Sequence, residues 1–159
     1  MRITVVAVGK IKERYLSEGI AEFAKRLGPF CRLDIVEVAE EKMPDSPSPA
    51  DKAKCLAREG ERILKAVRPV SRLIVLDRGG ARLASEDLAA RLDALALAGK
   101  SDLTFAIGGA FGLAPAVLAA AAETISFSDL TFTHQMIRLL LVEQIYRAFK
   151  ISRGEPYHW

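Results

Sequence analysis

The last quarter of the chain concentrates the side chains able to do chemistry. Arg138, Glu143, Gln144 and Arg147 are spaced through "IRLLLVEQIYRAFK", and the closing "GEPYHW" adds Tyr157 and His158. An imidazole can take or give a proton near neutral pH. Arginine is a permanent cation suited to phosphates and to developing oxyanions. A tyrosine beside such cations can stack on an unpaired nucleobase. Glu143 precedes Arg147 by four residues, the favourable order for a helical ion pair. If that face is buried, the pair must be satisfied there or bind something. His134 heads the same segment and either caps and packs the helix or acts on a substrate, with Thr131 or Thr133 as the N-cap.

Three further segments are rich in glycine and small polar residues: Leu76-Asp77-Arg78-Gly79-Gly80, "IGGAFG" (107–112) and "SFSDLTFTH" (126–134). Each follows a strand-like run. In an open α/β sheet, ligands sit outside the carboxyl ends of the strands. The glycines either make tight turns or let main-chain N–H and C=O groups approach an adenine or a ribose. "GGAFG" is not the G-x-G-x-x-G fingerprint, and "VGK" after the first strand lacks the rest of a phosphate loop. Both observations argue against an NTPase or a Rossmann oxidoreductase.

The elements that must position these groups alternate regularly. "RITVVAVG" is a β-branched run ended by Gly9, as in a strand buried on both faces. A helical pattern through Ile11, Tyr15, Ile20, Phe23, Ala24 and Leu27 stops at Gly28-Pro29. "RLDIVEV" reads as the second strand, "KMPDSPSP" (42–49) as a loop, either a lid or a connector, and 50–66 as a charged amphipathic helix. "SRLIVLD" is a third strand running into a turn at "RGGARL". Ser85 is expected to cap the next helix, whose first turn carries Glu86 and Asp87. "DLTFAIGG", a short helix from "LAPAVLAAAAE", the strand "TISFS" and the long final helix complete the pattern. Strands alternating with helices give a single α/β domain over 1–159 with a parallel sheet. On pattern alone this is a plain Rossmann-like or flavodoxin-like sheet, because threaded chains are so rare.

The final helix is apolar on more than one side. Met136, Ile137, Leu139, Leu140, Leu141, Val142, Ile145, Tyr146, Ala148 and Phe149 cover most of its circumference, so it must be buried nearly all round. A second copy of the chain is the expected source of the extra covering surface.

Composition bounds the rest. A chain of 159 residues, half of them hydrophobic, buries roughly two thirds of its unfolded surface as one domain. The net charge of +3 permits a nucleic-acid partner without demanding one. Cys31 and Cys55 are the only cysteines and form no C-x-x-C, which argues for free thiols and against a metal site. No apolar run approaches the roughly 18 to 20 residues of a membrane span, and the N-terminus is too quickly charged for a signal peptide. The expectation is a cytoplasmic protein with no membrane partner and no metal.

At "AIGGAFG", "ISFSDLTFTHQMIR", "EQIYRAFKI" and the closing G-x-P-Y-H the sequence resembles the RlmH family, with further likeness in "AVGKIKERY", "RLGPF" and "EGERIL". These are SPOUT-class methyltransferases acting on N3 of a pseudouridine in large-subunit (23S) ribosomal RNA. Two positions depart from the pattern: Thr133 stands where a proline is expected, and Trp159 where the terminus is commonly basic. The resemblance implies a C-terminal trefoil knot, which the pattern reading rejects. It also implies a homodimer packed through the last helix, and S-adenosylmethionine as methyl donor. By matching motifs the donor lies against Leu76, Gly108, Phe127, Ser128, Asp129, Leu130, Thr131 and Phe132, with Gly109 and Gly112 shaping the pocket. The catalytic candidates are His158 as base or relay, Arg147 and Arg138 as cations, and Tyr157 stacking on the target base. A small, barely basic domain without an RNA-binding signature suggests the assembled ribosome as substrate. The competing reading is a ribosome-associated dimer that has lost its activity.

Overall fold

The structure, a computed structural model, describes residues 1–157. Five strands alternate with five helices. The strands are β1 (Arg2–Val8), β2 (Arg32–Val38), β3 (Arg72–Arg82), β4 (Asp102–Ile107) and β5 (Glu123–Ser126). The helices are α1 (Arg14–Leu27), α2 (Pro49–Ala66), α3 (Ser85–Leu97), α4 (Pro115–Ala120) and α5 (Met136–Ser152). All strand pairs are parallel, in the order β2-β1-β4-β3-β5. This differs from the flavodoxin order 2-1-3-4-5, because β4 inserts between β1 and β3. The plain doubly wound expectation is therefore corrected.

Alternation along each strand builds two apolar layers. Ile3, Val5, Ala7, Ile74, Leu103, Phe105 and Ile107 face α1, α3 and α5. Val6, Val8, Leu73, Val75 and Ala106 face α2 and α4. The central strands are buried on both faces, as the β-branched run of β1 demands.

Part of the apolar girth of α5 is covered within one chain: four of the ten apolar residues are buried and six are half-buried. The helix lies between α1 and α3. Leu141, Val142, Ile145 and Ala148 are buried against the sheet. Leu139 seats over Gly19 of α1, where an added Cβ would stand 3.0 Å from it. Tyr146 and Phe149 pack on Phe30, with ring centroids 5.9 and 5.7 Å apart.

Several local expectations are corrected. Ser85 does not cap α3: Ala84 holds the N-cap, the Asp87 carboxylate accepts from its N–H, and the Ser85 hydroxyl turns to Gln144. The turn expected at 78–83 is instead a continuation of β3 past a bulge between Leu76 and Ala81, which pairs again with β5. Gly80 is required there, since a Cβ would stand 2.6 Å from the Ile125 backbone. In α1 the buried position is Leu16, while Tyr15 is exposed. The helix carrying "LAPAVLAAAAE" ends at Ala120. Neither threonine holds the N-cap of α5, which is Gln135, although the Thr133 hydroxyl accepts from the Met136 N–H at 3.1 Å. The loop before α2 is tied down. Glu41 pairs with Arg58 and Arg62, its N–H donates to Glu59, and Ser48 and Asp51 form a reciprocal capping box.

Candidate active site

The bulge of β3 and the loops that leave the carboxyl ends of β4 and β5 meet the start of α5, enclosing a cavity of about 270 Å³. Leu76, Gly108, Gly109, Gly112, Phe127, Ser128, Leu130, Thr131 and Phe132 line it, nine of the ten residues named for the donor. Asp129 does not. Its carboxylate points away to pair with Arg82, which removes it from the cavity wall. Sequence reasoning missed Ile125 and Ile137, which with Ile107 form an apolar floor, and it named Asp77, Arg78 and Ile107 only as members of strand-end segments. The strand-end rule pointed at their loops without separating inward side chains from outward ones.

The β4 loop is folded back on itself. Gly112 has φ of +87°, donates its N–H to the Gly109 carbonyl, and has open space where a side chain would project. Gly108 has none: a Cβ there would stand 2.2 Å from the Gly112 carbonyl oxygen. One glycine is required by backbone conformation, the other by close approach.

His134 lines the cavity, and burial, with the nearby Arg138 cation, holds its imidazole below the ordinary value. It therefore stands neutral at pH 7. Behind the Gly109 backbone lies Glu59, 4% exposed, one of whose oxygens accepts the Glu41 N–H.

Arg138, named as a substrate cation, is buried instead. Its side chain is 2% exposed, donating to the carbonyls of Val8 and His134 and to the Glu37 carboxylate at 3.1 Å. It joins the start of α5 to the ends of β1 and β2. A guanidinium so enclosed is not available to a substrate phosphate, and that role is corrected.

Arg147 and Tyr157 meet further along α5. The Arg147 guanidinium lies 4.8 Å from the Tyr157 ring centroid and is paired with Glu143 at 2.8 Å. The Tyr157 hydroxyl donates to the same carboxylate at 3.2 Å, and burial and Glu143 raise its pKa. Gln144 donates to the other Glu143 oxygen at 2.6 Å. Glu143 thus organises the cluster, a role its four-residue spacing from Arg147 signalled. His158 lies outside the described residues. Arg147 is ten residues beyond Ile137 of the cavity floor, about 15 Å along the helix axis. Within one chain the donor-type cavity and the Arg147–Tyr157 cluster are therefore apart.

A parallel sheet with a cavity at its carboxyl ends, bounded by the start of the final helix, is a common ligand-binding arrangement of open α/β sheets. The family model described as predicted SPOUT methyltransferase matches residues 1–158, and the chain belongs to that family. It is 54% identical over 158 residues to the ribosomal RNA large subunit methyltransferase H of Carboxydothermus hydrogenoformans, covering 99% of each chain. The proteins of the same name from Symbiobacterium thermophilum and Bifidobacterium adolescentis are 52% and 51% identical, each over 99% of both chains. Among solved structures, a probable methylase family protein from Haemophilus influenzae Rd KW20 matches with a TM-score of 0.54 at 15% identity. The match covers 99% of this chain and 70% of that one and supports the fold alone. No helix is long and apolar enough to cross a membrane, and no group of metal-ligating side chains occurs among the described residues.

Proposed function

We propose that this chain transfers a methyl group from S-adenosylmethionine to N3 of a pseudouridine in 23S ribosomal RNA, on the assembled ribosome in the cytoplasm. The observation that carries the reading is the cavity at the strand ends, in a chain whose full-length relatives bear the name of large-subunit rRNA methyltransferases. Its dimensions and mixed lining, apolar floor below and folded main chain above, fit an adenosine held by backbone groups. The threaded C-terminal segment implied by the resemblance belongs to this proposal, as does a homodimer packed through α5.

When bound, S-adenosylmethionine supplies a methyl on sulfonium sulphur: the N–CH3 bond forms as the C–S bond breaks and a neutral thioether leaves. The chain must orient the ring nitrogen, exclude water and receive the N3 proton. His158 is the proposed base or relay. Arg147, oriented by Glu143, stabilises negative charge spreading onto the ring carbonyls, and Tyr157 offers a stacking surface. Because the Arg147–Tyr157 cluster stands about 15 Å along α5 from the cavity floor, a second copy is assigned the task of bringing these groups over the donor. The active site is then composite.

The test is transfer of labelled methyl to ribosomes lacking the modification, with free rRNA and uridine-containing ribosomes in parallel. Label on ribosomal pseudouridine, lost in Arg147→Ala and His158→Ala, is the expected result. Protein that binds the donor yet labels no ribosome overturns the proposal and favours the inactive dimer.

A further inference from the structure

A second cavity of about 290 Å³ adjoins the first, sharing Ile125, Ser126, Phe127 and Phe132 with it and opening between the start of α3 and the middle of α5. Its lining is apolar apart from Ser126, committed to the Ser128 carbonyl, and one pair on the wall away from the shared residues. There the Ser85 hydroxyl donates to the Gln144 side-chain carbonyl at 2.9 Å, and the Gln144 amide donates to Glu143 at 2.6 Å. An amide oxygen accepts two hydrogen bonds, and a hydroxyl that donates one still accepts others. This pair therefore offers acceptor capacity to whatever enters. At about 290 Å³, close to the low end of the roughly 300–1,000 Å³ typical of ligand pockets, the cavity has room for a flat ring. Enzymes that act on a base draw it into such a pocket, between aromatic walls, and read its edge by hydrogen bonds.

We infer that this side cavity seats the target ring and that the Gln144–Ser85 pair accepts the N1–H of pseudouridine, making these two residues the determinants of pseudouridine over uridine. The inference rests on the function proposed above. Pseudouridine is joined to its ribose through carbon, so its N1 carries a proton where uridine presents a C–H. With N3 turned to the border where the two cavities adjoin at Phe127 and Phe132, N1–H sits at a different corner of the ring and turns toward α5. A site that bonds an N–H favours the ring that carries it over the analogue that lacks it, by the worth of the added hydrogen bond. The amide is itself oriented by Glu143, whose carboxylate also holds Arg147 and Tyr157 of the same chain.

The test is the single-turnover rate of methyl transfer to pseudouridine- and uridine-containing ribosomes, with sedimentation of each variant. Ser85→Ala and Gln144→Met should lower the pseudouridine-to-uridine rate ratio about tenfold, the worth of one hydrogen bond. Ser85→Thr, which keeps the hydroxyl, should restore it. An unchanged ratio overturns the inference, as does an equal fall on both substrates. Dissociation of the variants into monomers, with the ratio intact, also overturns it and assigns the cavity to a segment of the second copy. Wild-type protein inactive on both ribosomes overturns the underlying function instead, so the two failures are distinguishable.

Discussion

Replacing Arg138 by methionine separates a substrate-facing arginine from a structural one. The side chain is among the largest fully buried in the protein, and its three donor groups reach the Val8 carbonyl, the His134 carbonyl and Glu37. Methionine refills the stem volume and donates nothing. A hydrogen bond from a charged donor is worth about 1.5–3 kcal/mol, and two carbonyls lose one each. Removing one partner of a buried ion pair costs about 3–5 kcal/mol. Glu37, however, is 34% exposed and keeps the Ile11 N–H, so solvent screens its share. We expect a net loss of about 3 kcal/mol. For a chain of this length that lowers Tm by roughly 6–12 °C at fixed protein concentration. Thermal unfolding of Arg138→Met, Glu37→Gln and the double variant checks the figure, and the double variant should lose less than the sum of the singles. Well below Tm, turnover at saturating donor should stay within about threefold of wild type, since no transition-state contact is removed. A variant that melts normally but loses turnover a hundredfold would refute the buried-latch reading.

Gly108→Ala should weaken donor binding by about tenfold or more, because overpacking of about 1–3 kcal/mol falls on the cavity wall itself; titration calorimetry reads it. His134 has a folded pKa below its ordinary 6.5, so the unfolded chain takes up the proton first. Its contribution to stability is therefore complete above pH 6.5 and declines as pH falls through that value; His134→Gln should flatten urea midpoints measured from pH 5 to 8. Burial pushes the thiols of Cys31 and Cys55 up to about 11, so at pH 8 a thiol reagent should label neither until denaturant is added. Rapid labelling of the native protein would contradict that packing.

The sheet's class was readable in the β-branched run of β1 and in the strand–helix alternation, because burial on both faces leaves that imprint on side-chain types. The strand order was not. Nothing local in β4 says that it pairs with both β1 and β3, since register is set by contacts 31 residues apart on one side and 100 on the other. Arg138 was misread for a related reason: an arginine on an apolar helix looks like a functional cation until the carbonyls it serves, at the end of another strand, are known. The cavity's glycines and the 127–132 segment were legible from motif. The outward turn of Asp129 depended on Arg82, forty-seven residues away. Ser85 signalled a helix start, but its hydroxyl's partner on α5 carried no mark in sequence.

The placement of β4 has a consequence for synthesis on the ribosome. As the chain emerges, β1 and β2 can pair early, but β1 keeps an open edge until residues 102–107 arrive to fill the slot beside it. β3 is made sooner and must wait for the same strand. Pairings this distant are slow to form and leave apolar edges uncovered meanwhile. The cavity comes later still, since its walls include Ser128, Phe132 and Ile137 near the end of the chain. A ligand of that cavity recognises only finished molecules, so its presence during refolding should raise the yield of native protein without hastening the early steps.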